Sequence, residues 1–367
     1  MWQFLHKEFE FYIVTRNTEY LENTPYENVF SNRWNHFSEN VKVYYTSSDA
    51  LSLKQWRFLI REIKPDTVYI NGIYSKYFSI YSVLAAKNEK VKKIIVSPRG
   101  MFSQSAIDVK GLKKRLFISL TRFINFYKNI EWHATNEKEK EDIYFAITTK
   151  NKRKTDLSSN SHNANLTYIA ANLPRKTELI FYPIEKKYKI LRLCIIARIA
   201  PEKNTLFAIN CLKNINKEIK IEIDLFGQIY NEDYWQKCKS AISQLPENIT
   251  LNYCGIIEPE KITETILNYH ALFLPSRGEN FGHIILESFM AGRPVIISDQ
   301  TPWKNLREKN AGFDLELYEN KFVEAIEEIA FMQQSDYDIF CKSAFELAKI
   351  NLSDINLLES YRKMVVM

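Results

Sequence analysis

Short apolar, β-branched runs alternate with amphipathic stretches along almost the whole chain, the pattern of strands and helices in a parallel α/β sheet. In the first half, Phe9–Val14, Val41–Tyr45, Thr67–Ile70, Lys93–Ser97 and Glu131–Ala134 predict strands. Leu53–Ile63, Phe78–Lys87 and Glu137–Ile147 predict helices between them, and Thr167–Asn172 reads as one more strand. In the second half, strands are predicted at Leu191–Ala197, Ile221–Phe226, Ile249–Tyr253, Ala271–Pro275 and Pro294–Ser298. Their partner helices are Leu206–Ile215, Tyr234–Leu245, Lys261–Tyr269 and His283–Ala291. Runs such as Leu193–Ile196 show no polar alternation, which suits strands buried on both faces. The predicted class is α/β, with two doubly wound, Rossmann-like halves.

The polar, basic stretch 150–165 interrupts this rhythm as a loop. The segment 173–188, with Pro174, Pro183 and mixed charges, reads as the linker. The expected division is a first domain over 1–174, a linker over 175–190 and a second domain over 191–352. The length of 367 residues fits two ordinary domains. With 46% apolar and 26% charged residues, the composition excludes disorder. No apolar run is long enough to span a bilayer, and the first sixteen residues, broken by Lys7, Glu8 and Glu10, lack a signal-peptide core. Five scattered cysteines without C-x-x-C or C/H clusters point to a reducing cytoplasm, no disulfide framework and no structural zinc. A net charge of +6 permits an anionic ligand or membrane surface without demanding nucleic acid.

Neither G-x-G-x-x-G nor G-x-x-x-x-G-K-S/T occurs, so the dehydrogenase and P-loop readings lose their main support. The informative stretch is Pro275–Trp303. There a strand feeds a loop carrying Glu279 and Gly282, then a helix beginning near His283 with Glu287 one turn in. Doubly wound sheets place ligands at such strand ends, and a helix amino terminus favours phosphate. Gly282 permits close backbone approach. Carboxylates at that end repel phosphate but accept hydrogen bonds from sugar and ribose hydroxyls. A second strand exit, Ala197–Asn204, carries Arg198 and Lys203, which could neutralise a diphosphate or simply form a solvated helix start.

Together these elements resemble the retaining glycosyltransferases of family 4, of the GT-B fold. Glu279 to Glu287 matches that family's E-x7-E signature, with Phe281-Gly282 inside it, and Arg198 with Lys203 matches its basic pair. Leu225-Phe226-Gly227 and Tyr253-Cys254-Gly255-Ile256 resemble its strand-end glycines, and Asn172-Leu173-Pro174 its turn before the linker. Ser97–Met101 and Trp132–Thr135 resemble a branch found in bacterial surface polysaccharide assembly, such as lipopolysaccharide or capsule. Ala197 stands where the family usually has glycine, and Arg99 where many members hold a histidine near the sugar.

The resemblance implies two domains facing a cleft, with a last helix over 353–367 returning to the first domain. It implies transfer of a sugar from a nucleotide-sugar to a glycan or lipid-linked acceptor, with retention. Glu279, Arg198 and Lys203 would be catalytic: Glu279 on the donor sugar, the cations on the departing diphosphate, with loss of Arg198 costing more. Glu287 would take the ribose. Phe281, Gly282, Asn280, Thr301, Gly227, Ile256 and Arg99 would complete the donor site. No cofactor or metal is expected if the cations carry the charge. Two rivals are a sugar-nucleotide epimerase, against which the two motifs speak, and a donor-binding chain that transfers poorly.

Asp336-Tyr337-Asp338 mimics a metal-binding D-x-D, but Ser335 with the acids after it reads as a helix cap and first turn. His283 could touch donor or face solvent, and His133 reads as structural. Lys110–Lys128 holds six basic residues and no acid. On a helical wheel Leu112, Leu116, Phe117, Leu120, Phe123, Ile124 and Tyr127 form a stripe expected to pack inward. Lys114, Arg115 and Arg122 then point away, with Ile118 and Phe126, toward either solvent or an anionic membrane at the cytoplasmic face. Family members open with a strand and a glycine-rich loop, whereas this chain starts near the helix that follows them. The expectation is an N-terminal sheet lacking a central strand, with upstream coding sequence supplying it.

Overall fold

The computed structural model describes residues 1–19, 22–103, 107, 111–148, 166–173, 179, 181–352 and 355–366. The polar stretch 150–165, Lys110, Pro174 and the linker residues 175–178 and 180 lie outside them. Contacts divide the chain into two units, Met1–Lys176 with Ile355–Met367, and Thr177–Asp354.

The first unit contains β1 (Phe11–Arg16), β2 (Trp34–Ser38), β3 (Val41–Thr46), β4 (Thr67–Asn71), β5 (Lys93–Ser97), β6 (Glu131–Ala134) and β7 (Thr167–Ile169). Among the described residues they form two sheets, β1-β3-β2 and β4-β5-β6-β7. β1 and β4 each pair on one side only, so the single sheet of a doubly wound half is divided between them. β2 was not legible in the sequence, because Asn35, His36 and Ser38 break its apolar pattern. It pairs antiparallel with β3, Trp34 opposite Tyr44. The predicted helix at Phe78–Lys87 is a wide turn over Lys76–Tyr81 followed by a helix at Ser82–Asn88. The helix Ile355–Val365 is tied down within this unit. Tyr361 donates to the Ala171 carbonyl at 3.0 Å, and Arg362 pairs with Glu8 at 2.8 Å.

One expectation holds only in part: Phe117 and Tyr127 of the expected inward stripe pack on the core and Arg115 is exposed as expected, while the rest is reversed. In the helix Gly111–Phe123 the buried residues are Ile118 and Thr121, while Leu112, Leu116, Leu120, Phe123 and Ile124 are exposed. Lys114 and Arg122 turn inward because they find partners there. Arg122 donates to the Ala146 carbonyl at 2.7 Å and to that of Phe145 at 3.1 Å, and the Lys114 ammonium lies 5.3 Å from the centre of the Tyr74 ring. A guanidinium that satisfies the last carbonyls of the Glu137–Ile147 helix is well placed near a helix carboxyl end.

The second unit carries β8 (Ile190–Ile196), β9 (Lys220–Phe226), β10 (Ile249–Gly255), β11 (Ala271–Leu274), β12 (Val295–Ser298) and β13 (Gly312–Leu315). All are parallel, in the order β10-β9-β8-β11-β12-β13. The apolar runs of β11 and β12 are buried throughout, as strands covered on both faces require. Alternate residues of β8 serve different cores: Leu191, Leu193 and Ile195 face one, Cys194 and Ile196 the other. Helices Thr205–Leu212, Glu232–Ile242 and Glu319–Phe331 cover the first face, and His283–Met290 with Ile262–Ile266 the second. β13 and the Glu319–Phe331 helix were not assigned from sequence; β13 is a four-residue edge strand. The helix Gln334–Leu352 begins one residue before Ser335, so Ser335 lies in its first turn rather than capping it. Asp336 is in that turn as well, and Asp338 accepts a bond from Gln334 at 2.7 Å.

Candidate active site

In the second unit the chain winds outward from the middle of the sheet in both directions, β8-β9-β10 one way and β11-β12-β13 the other. The order reverses between β8 and β11, and the carboxyl ends of two such strands leave a crevice for ligand. The loop after β8 holds Arg198 and Lys203, and the loop after β11 holds Arg277, Glu279, Asn280 and Phe281. Both predicted motifs therefore meet at the topological switch point.

The loops are joined to one another. The Arg277 amide donates to the Glu202 carbonyl at 2.9 Å, and the Glu279 amide to the Gln300 carbonyl at 2.9 Å. The Trp303 indole donates to the Phe281 carbonyl at 2.6 Å, and the Phe281 ring lies 4.9 Å from His283 and 5.7 Å from Trp303. Thr301 is buried and its hydroxyl is engaged by the backbone of Trp303. Through these contacts Thr301 braces the loop.

The Lys203 ammonium stands 2.6 Å from a carboxylate oxygen of Glu279, both side chains being mostly buried. Arg198 is half exposed, its guanidinium 4.9 Å from the centre of the Tyr230 ring and 3.7 Å from Glu202. Glu287 is buried in the His283–Met290 helix. Gly282 precedes that helix at φ 75°, and a Cβ there would stand 2.6 Å from Ile285 Cδ1. Glycine thus permits the turn that starts the helix, where the Ile285 N–H donates back to the Gly282 carbonyl at 2.9 Å. Arg277, an exposed third cation beside Asn204 (3.3 Å), was missed in the sequence. Nothing local to the loop Pro275–Asn280 singles it out.

Gly227 has a packing reason of its own. At φ 148°, its missing Cβ would overlap the Ala197 carbonyl oxygen. Gly227→Ala is expected to lower the melting temperature by roughly 10 °C, from overpacking of about 3 kcal/mol. Gly255→Ala meets open space at φ 75° and should cost less than half as much. Equal shifts in calorimetry would contradict this assignment. Ile256, which follows Gly255, is exposed.

In the first unit, Arg99 stands at φ 54° beyond β5 and bonds Asn172, Tyr69 (3.1 Å) and Asn71 (3.3 Å). His133 Nε2 faces the Ala170 carbonyl at 2.8 Å, so Nε2 carries the proton and Nδ1 accepts from Tyr69 at 2.5 Å. Burial holds His133 down to about 4, so the ring is neutral at pH 7 and orients Tyr69 against Arg99. No group of His, Cys, Asp and Glu suited to a metal occurs among the described residues.

The structure matches sucrose-phosphate synthase from Thermosynechococcus elongatus over 96% of this chain and 88% of that one, with TM-score 0.65 and 13% identity. Anabaena HepE, solved with UDP and glucose, matches over 89% and 85% with TM-score 0.63 and 11% identity. The fold is that of the GT-B glycosyltransferases. WaaG, a glycosyltransferase involved in lipopolysaccharide biosynthesis, shares this GT-B fold over 84% of this chain and 93% of its own, with TM-score 0.55 and 12% identity. The chain spans 59% of the length of S. aureus TarM, with TM-score 0.59 and 13% identity over 86% of its own residues. Residues 177–334 match the family model described as glycosyl transferases group 1, which contains the whole candidate site of the second unit. No curated protein matches the sequence.

Proposed function

We propose that this chain is a retaining glycosyltransferase. It takes a sugar from a nucleoside diphosphate sugar and gives it to a glycan or lipid-linked acceptor, in the cytoplasm, during bacterial surface polysaccharide synthesis. The observation that carries the reading is the Lys203–Glu279 pair, which joins the loops after β8 and β11 at the switch point inside the segment matching group 1 glycosyltransferases. The diphosphate lies against Arg198, Lys203 and the first-turn amides. Glu279 accepts from sugar hydroxyls and Glu287 from the ribose. The acceptor hydroxyl oxygen bonds to the anomeric carbon as the bond from that carbon to the diphosphate breaks. The hydroxyl proton passes to the departing diphosphate. Cations aimed at the developing charge supply the electrostatic stabilisation, with no metal required for it.

HepE and TarM were solved with UDP, which makes uridine donors the first to try. In a thermal-shift panel of nucleotides, a nucleoside diphosphate or its sugar should raise the melting temperature, because binding stabilises the folded state by mass action. If no nucleotide stabilises the protein, the reading fails. The split between β1 and β4 favours one second reading, a donor-binding chain with weak transfer. Donor stabilisation without product, given the right acceptor, identifies it.

A further inference from the structure

The outer face of the Gly111–Phe123 helix carries the two most exposed large apolar side chains among the described residues, Leu112 at 87% and Phe123 at 84%. Leu116 at 70%, Leu120 and Ile124, both at 54%, lie on the same side, at the i, i+4 and i+3 spacing of one helical stripe. Lys113 and Arg115, both exposed, border this stripe, and Phe145 of the neighbouring Glu137–Ile147 helix extends it. A leucine and phenylalanine row turned to water costs free energy that the fold does not recover, and an exposed apolar patch of this kind marks an interaction surface.

We propose that this face docks on an anionic lipid bilayer. The charge pattern selects that occupant. The helix contains Lys113, Lys114, Arg115 and Arg122 and no acidic residue. Leucine and phenylalanine enter the boundary between headgroups and acyl chains, while Lys113 and Arg115 extend to lipid phosphates along their aliphatic stems. A second copy of the chain fits less well. Joining two identical stripes sets one basic-bordered face against another, with no acidic residue in the helix to answer it. The inward commitment of Arg122 and Lys114 fixes the orientation, since rotating the stripe inward would give up both. Docking through this helix is independent of the sugar-transfer reading.

The test is cosedimentation of the full chain with vesicles of phosphatidylcholine alone and of phosphatidylcholine with phosphatidylglycerol. Binding is expected to the phosphatidylglycerol vesicles and to weaken with added salt. Lys113→Gln should weaken it by about fivefold, the scale of one basic charge at an anionic surface. Leu116→Gln with Leu120→Gln should weaken it by about tenfold or more. Because these positions are exposed, the melting temperature and its rise with nucleoside diphosphate should stay at the wild-type values. Absence of binding to phosphatidylglycerol vesicles at low salt would overturn the proposal. So would binding that the leucine pair leaves unchanged. A wild-type dimer in light scattering that the same pair disperses would assign the face to a second copy instead.

Discussion

Lys203→Ala is expected to weaken nucleoside-diphosphate binding by about thirtyfold or more and to slow transfer at least as much. The lost charge-assisted contact accounts for on the order of 2 kcal/mol. A second effect adds to it. Glu279 loses the ammonium 2.6 Å away and is left as a mostly buried carboxylate facing the diphosphate. Arg198→Ala should cost less, because its guanidinium is half exposed and Glu202 lies 3.7 Å off, at the rim of the pair's reach. This reverses the order expected from the sequence, where loss of Arg198 ranked above loss of Lys203. Calorimetric titration of both variants with the same nucleotide decides the order. Unchanged affinity in both removes the diphosphate assignment altogether.

Glu279→Gln is expected to part binding from turnover. With the carboxylate charge gone, the Lys203 ammonium is no longer half neutralised and is fully available to the diphosphate. Nucleoside-diphosphate affinity should therefore hold or rise, by about fivefold if roughly 1 kcal/mol of attraction is redirected. Transfer should fall by about a hundredfold, the scale of one lost contact that strengthens in the transition state. Glu287→Ala should do the opposite to binding and weaken nucleoside diphosphate, its expected partner being the ribose. The free energies of Lys203→Ala and Glu279→Gln should not add, since the two side chains touch. If Glu279→Gln and Glu287→Ala shift nucleotide affinity in the same direction, the division between sugar and ribose is wrong.

Three strands of the second unit, β8, β11 and β12, were legible because they are largely buried on both faces, so Leu193–Ile196 and Val295–Ile297 had to be continuously apolar. β9 and β10, with exposed positions, were legible as β-branched runs, whereas β2 and β13 were not. β2 carries His36 on an exposed position, and β13 is an edge strand whose Gly312 lets it approach Val295. Among the site residues, Arg198, Lys203, Glu279 and Glu287 stood out by their place at strand exits and by their resemblance to a known family's E-x7-E and basic-pair motifs. Arg277 did not, because nothing local distinguishes it from any loop arginine. It matters only because its backbone is held to Glu202, seventy-odd residues away in sequence.

The sequence by itself determined the α/β alternation, the strand-to-helix exits and the residue types that stand at them. Each of these depends on neighbours within a few positions. The tertiary structure decided what those residues meet. Strand order placed the exits of β8 and β11 side by side and so joined Lys203 to Glu279, turning two separate roles into one coupled pair. It gave Gly227 a packing reason, the carbonyl of Ala197. It also decided which side of the Gly111–Phe123 helix packs inward. A helical wheel shows that two faces exist but not which one packs inward. That depends on the partners each face finds, here two backbone carbonyls for Arg122 and an aromatic ring for Lys114, supplied by residues distant in the chain.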